Sequence, residues 1–167
     1  MKLTIKNRLT PARGSRVTDE TGKNVLKVKG VWLSPFKTKK VCDMEGNLLF
    51  KVKNKFWAFW RKKCYIYNPE KEKIGTLSQN SLSFKVNSFQ TEGFEKDVQV
   101  NGKIFREIDV SVDGAKVAEI SRSSSVGALF FKNLDTYTLT TTDTENLAFY
   151  VAIVIAIDNI RDTKEDK

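Results

Sequence analysis

Apolar and polar residues alternate along most of the chain, and one segment near its C-terminal end breaks the pattern. Leu147-Ala-Phe-Tyr-Val-Ala-Ile-Val-Ile-Ala-Ile157 holds no charged or strongly polar side chain. A run that is apolar on every side must be surrounded by protein, and at about 1.5 Å per residue it reaches only roughly 16 Å, half the ~30 Å hydrocarbon core of a bilayer. The pattern therefore predicts a buried helix from about Thr144 to Ile160 and no transmembrane span. Val151, Ile153, Val154, Ile155 and Ile157 favour strands, but eleven residues is long for a strand. Thr144 or Asp143 can cap a first helical turn, with Glu145 placing negative charge at the positive end of the dipole. Ala148, Ala152 and Ala156 recur every four residues on one helical face.

The alternating segments are joined by turn signals, and these repeat. Val17-Thr-Asp-Glu-Thr-Gly22 through Val28 aligns with Val41-Cys-Asp-Met-Glu-Gly46 through Val52, 24 residues later, since 41 − 17 = 24. In both, an Asp three residues ahead of a Gly marks a tight turn, because Asp bonds to the local backbone and Gly supplies positive φ. A degraded third copy begins at Tyr65 with Asn68-Pro69-Glu70-Lys71 at the turn. Asn101-Gly102 and Asp113-Gly114, each flanked by alternating apolar residues, add two further hairpin turns. Strands are thus expected between about residue 2 and Thr141, densest from residue 14, ten to twelve in all. So many strands avoid exposed edges by closing into a barrel. A barrel that wide cannot be filled by its own side chains, so the apolar helix is its natural plug. The expectation is one mainly β domain over residues 1–167, a closed antiparallel barrel of about twelve strands around a C-terminal helix, with a short charged tail at 161–167.

Composition narrows the class. The chain has 167 residues, 40% hydrophobic and 29% charged, enough for one domain with a real core and unlike a disordered chain. Met1 to Arg8 is mixed polar, so no secretory leader is expected. Cys42 and Cys64 lack metal-ligand spacing and are too few for a disulfide framework. The absence of histidine removes the commonest participant in zinc binding and acid–base catalysis. A reducing, cytoplasmic setting follows. The formal charge is +9, unevenly spread: residues 1–63 hold 17 Lys or Arg and 4 Asp or Glu, whereas 64–167 hold 12 and 16. Such asymmetry suits a face turned toward phosphate, in lipid headgroups or nucleic acid, although scattered solvating lysines give the same totals.

The densest candidate chemistry lies in Lys51-Val-Lys-Asn-Lys-Phe-Trp-Ala-Phe-Trp-Arg-Lys-Lys63. Lys51, Lys53, Lys55, Arg61, Lys62 and Lys63 bracket four aromatics that include Trp57 and Trp60. As a hairpin this segment could set Trp57 and Trp60 into a membrane interface while the basic residues meet anionic headgroups. Stacking of nucleic-acid bases on the tryptophans is the second use of the same residues. The structural alternative puts Phe56, Ala58 and Trp60 against the helix and leaves the lysines to solvation.

A second cluster, Lys37, Lys39 and Lys40, reads as surface charge and edge protection, with Lys37 and Lys39 on one strand face and Thr38 and Lys40 on the other. Ser121-Arg-Ser-Ser-Ser125 reads as a loop. Gly14, Gly22, Gly30 and Gly46 lack phosphate-loop spacing. Glu107 and Asp109 alternate with apolar residues, as on a solvent-facing strand. Asp158 interrupts the apolar run where its charge opposes the helix dipole, so a buried partner, such as an Arg or a backbone donor, is expected to hold it. No catalytic set, metal site or cofactor site is expected.

Lys29-Gly-Val-Trp-Leu-Ser34, the twinned Asp-x-x-Gly turns at Asp19 and Asp43, Val52-Lys-Asn-Lys-Phe56, and Ala152-Ile-Val-Ile-Ala-Ile-Asp158-Asn-Ile together resemble the LURP-one-related proteins. The resemblance covers nearly the whole chain. It implies the fold shared by the tubby C-terminal domain and the phospholipid scramblases, twelve antiparallel strands threaded by a C-terminal helix. It brings no established activity. The phosphoinositide motif of tubby finds no match here, nor do a scramblase's membrane tail, cysteine cluster or calcium motif. The expected function is a non-enzymatic binding or tethering module, cytoplasmic or peripheral to a membrane, contacting anionic phospholipid through its basic first third. The alternative is a protein or nucleic-acid adaptor using the same face.

Overall fold

The computed structural model describes residues 1–6, 14–31, 34, 36–55, 61–80, 88–102, 107–124 and 135–162, with the backbone alone for Arg61, Asn80, Ser88, Ser124, Asp135 and Asp162. Twelve strands follow one another: β1 (Lys2–Lys6), β2 (Ser15–Thr18), β3 (Asn24–Gly30), β4 (Lys39–Cys42), β5 (Leu48–Asn54), β6 (Arg61–Tyr67), β7 (Lys73–Asn80), β8 (Ser88–Glu92), β9 (Val98–Gly102), β10 (Ile108–Val112), β11 (Ala115–Ser124) and β12 (Asp135–Thr141). Each pairs antiparallel with its neighbours in sequence, and β1 pairs with β12, so the sheet closes on itself. Closure leaves no edge. Strand alternation then divides each strand between lumen and outer wall: Leu3, Ile5, Val17, Val28, Val41, Val52, Ile66, Leu77, Val100, Val110, Ile120 and Leu139 are all buried.

The internal repeat is a repeat of structure. Asp19, Asp43 and Asn68 each donate a backbone N–H to the carbonyl four residues on, at Lys23, Asn47 and Glu72. The side-chain oxygen of each in turn accepts the N–H of that same partner, at 3.0, 2.8 and 2.8 Å. The pairing register slips just before each turn, at Val17/Thr18, Val41/Cys42 and Ile66/Tyr67. Gly22 and Gly46 take the left-handed position three residues after the Asx residue, with φ of 84° and 104°; in the third copy Lys71 takes it, with φ of 70°.

Two turn expectations change. Asn101 and Gly102 are strand residues opposite Asp109 and Ile108, so the hairpin between β9 and β10 closes beyond them, with 103–106 outside the described residues. Ser121 to Ser124 belong to β11, in register with Thr138, Tyr137, Thr136 and Asp135. Ladder bonds to β12 hold a serine-rich segment that its composition alone marks as a loop.

The helix α1 (Leu147–Asp162, 16 residues) occupies the lumen, packed against β5 and β6 and also against β4, β7 and β12. Asp143 is its cap: one carboxylate oxygen accepts the N–H groups of Glu145 and Asn146 at 3.1 and 3.2 Å, and the other accepts the Tyr150 hydroxyl at 2.7 Å. Phe149 meets Phe50 and Phe94 edge to face, at centroid distances of 6.0 and 5.7 Å. From Tyr150 to Arg161 every residue is buried. Burying Val151, Ile153, Val154, Ile155, Ile157 and Ile160 contributes on the order of 10–20 kcal/mol, an upper bound before chain entropy.

Candidate anion-binding surface

Strands β2 to β7 contain no Asp or Glu. They carry Arg16, Lys27, Lys29, Lys39, Lys40, Lys51, Lys53, Arg61, Lys62, Lys63 and Lys73. Strands β8 to β12 mix Glu92, Asp109, Glu119 and Asp135 with Lys116 and Arg122. There Lys116 bridges Asp109 and Glu119 at 2.7 and 2.8 Å, and those carboxylates hold its ammonium above the usual lysine range. Half of the barrel wall is thus of a single sign.

The register shows which basic residues share the outside. Lys29 stands opposite Lys40, and Lys40 opposite Lys51, while the neighbouring Val28, Val41 and Val52 turn into the core. Like charges directly opposite across strands destabilise a sheet by about 0.2–1 kcal/mol per pair. Lysines also guard sheet edges, but a closed barrel has none, so edge protection does not account for this row. Arg16 faces Lys27 one strand over, and the Lys27 ammonium donates to the Met44 carbonyl at 2.5 Å.

The candidate residues of the 51–63 segment separate. Lys51 and Lys53 alternate with buried Val52 and lie on the outer face of β5, where the Lys53 ammonium sits 4.1 Å from the Phe36 ring centre. Lys55 is exposed just past β5, its N–H donating to the Lys63 carbonyl at 2.9 Å. Lys63 lies on the outer face of β6, 3.6 Å from Glu92. Lys62 shares the inner-facing register of Cys64 and Ile66 and is half-buried, so it stands apart from the outer row. The backbone of Arg61 pairs with Asn80. Trp57 and Trp60, with the rest of 56–60, lie outside the described residues.

Lys39, expected on the surface, points inward. It shares the face of Val41 and lies opposite Val52, and its ammonium donates to Asp158 Oδ2 at 2.7 Å. Asp158 Oδ1 accepts the Tyr137 hydroxyl at 3.0 Å, and that hydroxyl oxygen accepts from Arg161 at 2.8 Å. Asn159 donates to the Lys37 carbonyl at 3.0 Å. Asp158 thus has the buried partners that its place in an apolar run calls for, Lys39 and Tyr137 among them. The alternation of Lys39 with Val41 was the available signal. Beside this network burial pushes the Cys64 thiol up to about 12. Among the described residues no three His, Cys, Asp or Glu side chains group to hold a metal ion, and no helix is long and apolar enough to cross a membrane.

A closed twelve-strand barrel threaded by its C-terminal helix is the tubby-like architecture. The chain belongs to the LURP-one-related family, whose model matches residues 1–158. A protein of Arabidopsis thaliana solved by X-ray crystallography has a similar fold, with a TM-score of 0.60 at 16% identity over 96% of this chain and 91% of that one. No curated protein matches the chain in sequence.

Proposed function

We propose that the chain is a non-enzymatic binding or tethering module that takes an anionic phospholipid surface on its basic face, as a peripheral protein in the cytoplasm. Family and fold support a binding module in general. One observation carries the finer reading: six consecutive strands without an acidic residue form a wall on which lysines stand opposite lysines. A single-sign wall concentrates anions at its surface, and each basic residue held near an anionic bilayer adds about 1 kcal/mol. On this reading Lys51, Lys53, Lys55 and Lys63 belong to the contact face, with Trp57, Trp60 and Arg61 between them in sequence. The helix α1 occupies the lumen and packs its apolar side chains into the core, which suits a scaffold that presents its outside.

Co-sedimentation with phosphatidylcholine vesicles, with and without phosphatidylserine, tests the reading. The protein is expected in the pellet with the anionic vesicles alone. Retention in the supernatant with both, or retention by an RNA homopolymer instead, would overturn it in favour of the adaptor.

A further inference from the structure

We infer that the anionic surface is met side-on, by a row of residues that runs across the strands of the outer wall. Lys29, Lys40, Lys51, Tyr67 and Lys73 occupy successive cross-strand positions on β3, β4, β5, β6 and β7. This inference rests on the lipid reading above and names the part of the wall that makes the contact. Four of the five residues lie outside the 51–63 segment that sequence composition singles out.

Register and burial together define the row. Lys29, Lys40 and Lys73 are exposed, and Lys51 and Tyr67 are half-buried. Among the described residues no ion pair engages any of the four lysines, and the Lys73 ammonium lies 5.7 Å from the Tyr65 ring centre. Four strand spacings of about 4.8 Å each make the row roughly 19 Å wide. It is carried on ladder-bonded backbone, so presenting it costs no ordering of a loop.

The chemistry of the row fits a headgroup layer. A lysine stem can lie along such a wall and carry its ammonium group to the headgroup layer. Tyr67, between Lys51 and Lys73, offers a ring with a polar tip, the side-chain type that settles at a membrane–water interface. The turns at one end of the barrel are less suited to such a surface, since they carry Asp19, Glu20, Asp43, Glu45, Glu70 and Glu72, and the row reaches that end only where Tyr67 and Lys73 flank the β6–β7 turn. A molecule so divided is held with its β3–β7 wall against the anionic plane.

Three variants with the same loss of charge separate the possibilities: K29Q/K40Q in the row, K53Q/K55Q nearer the end of the β5–β6 hairpin, and K23Q/K96Q in the acidic turns. Each is checked for an unchanged melting temperature, then titrated with phosphatidylserine-containing vesicles. K29Q/K40Q is expected to weaken binding by roughly twentyfold or more, about fivefold for each basic residue withdrawn from the surface. K53Q/K55Q is expected to weaken it less, and K23Q/K96Q to leave it unchanged. Equal losses in all three would mean that net charge alone matters and would overturn the row. Unchanged binding by K29Q/K40Q beside a loss in K53Q/K55Q would overturn it while leaving the lipid reading intact. Failure of the wild type to bind would remove the lipid reading, and the row with it.

Discussion

The Lys39 ammonium lies 2.7 Å from Asp158 Oδ2, with the two side chains 19% and 1% exposed, so an ion pair joins β4 to the C-terminal part of α1 inside the barrel. Removing one partner of a buried pair strands the other charge, at a cost of about 3–5 kcal/mol when both are fully buried. Lys39 is partly open to water, and Tyr137 also bonds to Asp158. K39M is therefore expected to cost about 2–3 kcal/mol, read as a lowered urea midpoint at unchanged m-value. K39M/D158L, which removes both charges, is expected to recover much of that loss. A double variant as unstable as the sum of its parts would show that the pair does not act as a unit.

Lys71 holds the left-handed position that Gly22 and Gly46 hold in the sister turns. That conformation costs a non-glycine residue about 1–2 kcal/mol, partly offset by the greater unfolded-state freedom of glycine. K71G is expected to stabilise the protein by about 0.5–1 kcal/mol, and G46A to destabilise it by a similar amount. Thermal melts of the two variants check the opposite signs.

Gly75 leaves room for the Phe94 ring: a Cβ at residue 75 would come within 2.1–2.4 Å of three ring atoms. Phe94 in turn packs edge to face on Phe149 of α1. G75A is expected to cost about 1–3 kcal/mol through overpacking. Adding F94L should return part of it, and a double-mutant cycle with no coupling would contradict the contact.

Hydrogen bonds from the Tyr150 hydroxyl and the Asn146 amide, the largest causes, hold the Asp143 carboxyl below its ordinary value. A depressed carboxyl pKa stabilises the fold above the unfolded value of about 3.9 and loses that contribution as pH falls through the folded value. D143N is therefore expected to melt below the wild type at pH 7, with the gap closing under acid conditions below about pH 4. A gap independent of pH would mean that the carboxylate charge contributes nothing.

The architecture was legible because its signals are local. The Asp-to-Gly spacing at Asp19 and Asp43 specifies turns by bonds within five residues, and a run without a polar side chain has nowhere to go but a lumen. What escaped depends on partners distant in sequence. Lys39 meets Asp158 across 119 residues, and no charge count reveals that one lysine of a cluster turns inward. The serines of β11 become strand because β12 pairs with them. The site was half legible: charge asymmetry located the basic third, but aromatic composition drew attention to 51–63. The row that joins Lys29, Lys40 and Lys51 exists only once three strands are in register.

The most direct measurement of the central claim is the affinity for phosphatidylserine-containing vesicles as salt is raised from about 0.1 M to 1 M, which shortens the screening length from roughly 10 Å to 3 Å. Binding is expected at low salt, absent for phosphatidylcholine alone, and lost progressively as salt rises. Equal affinity for both kinds of vesicle, insensitive to salt, would contradict an anion-binding wall.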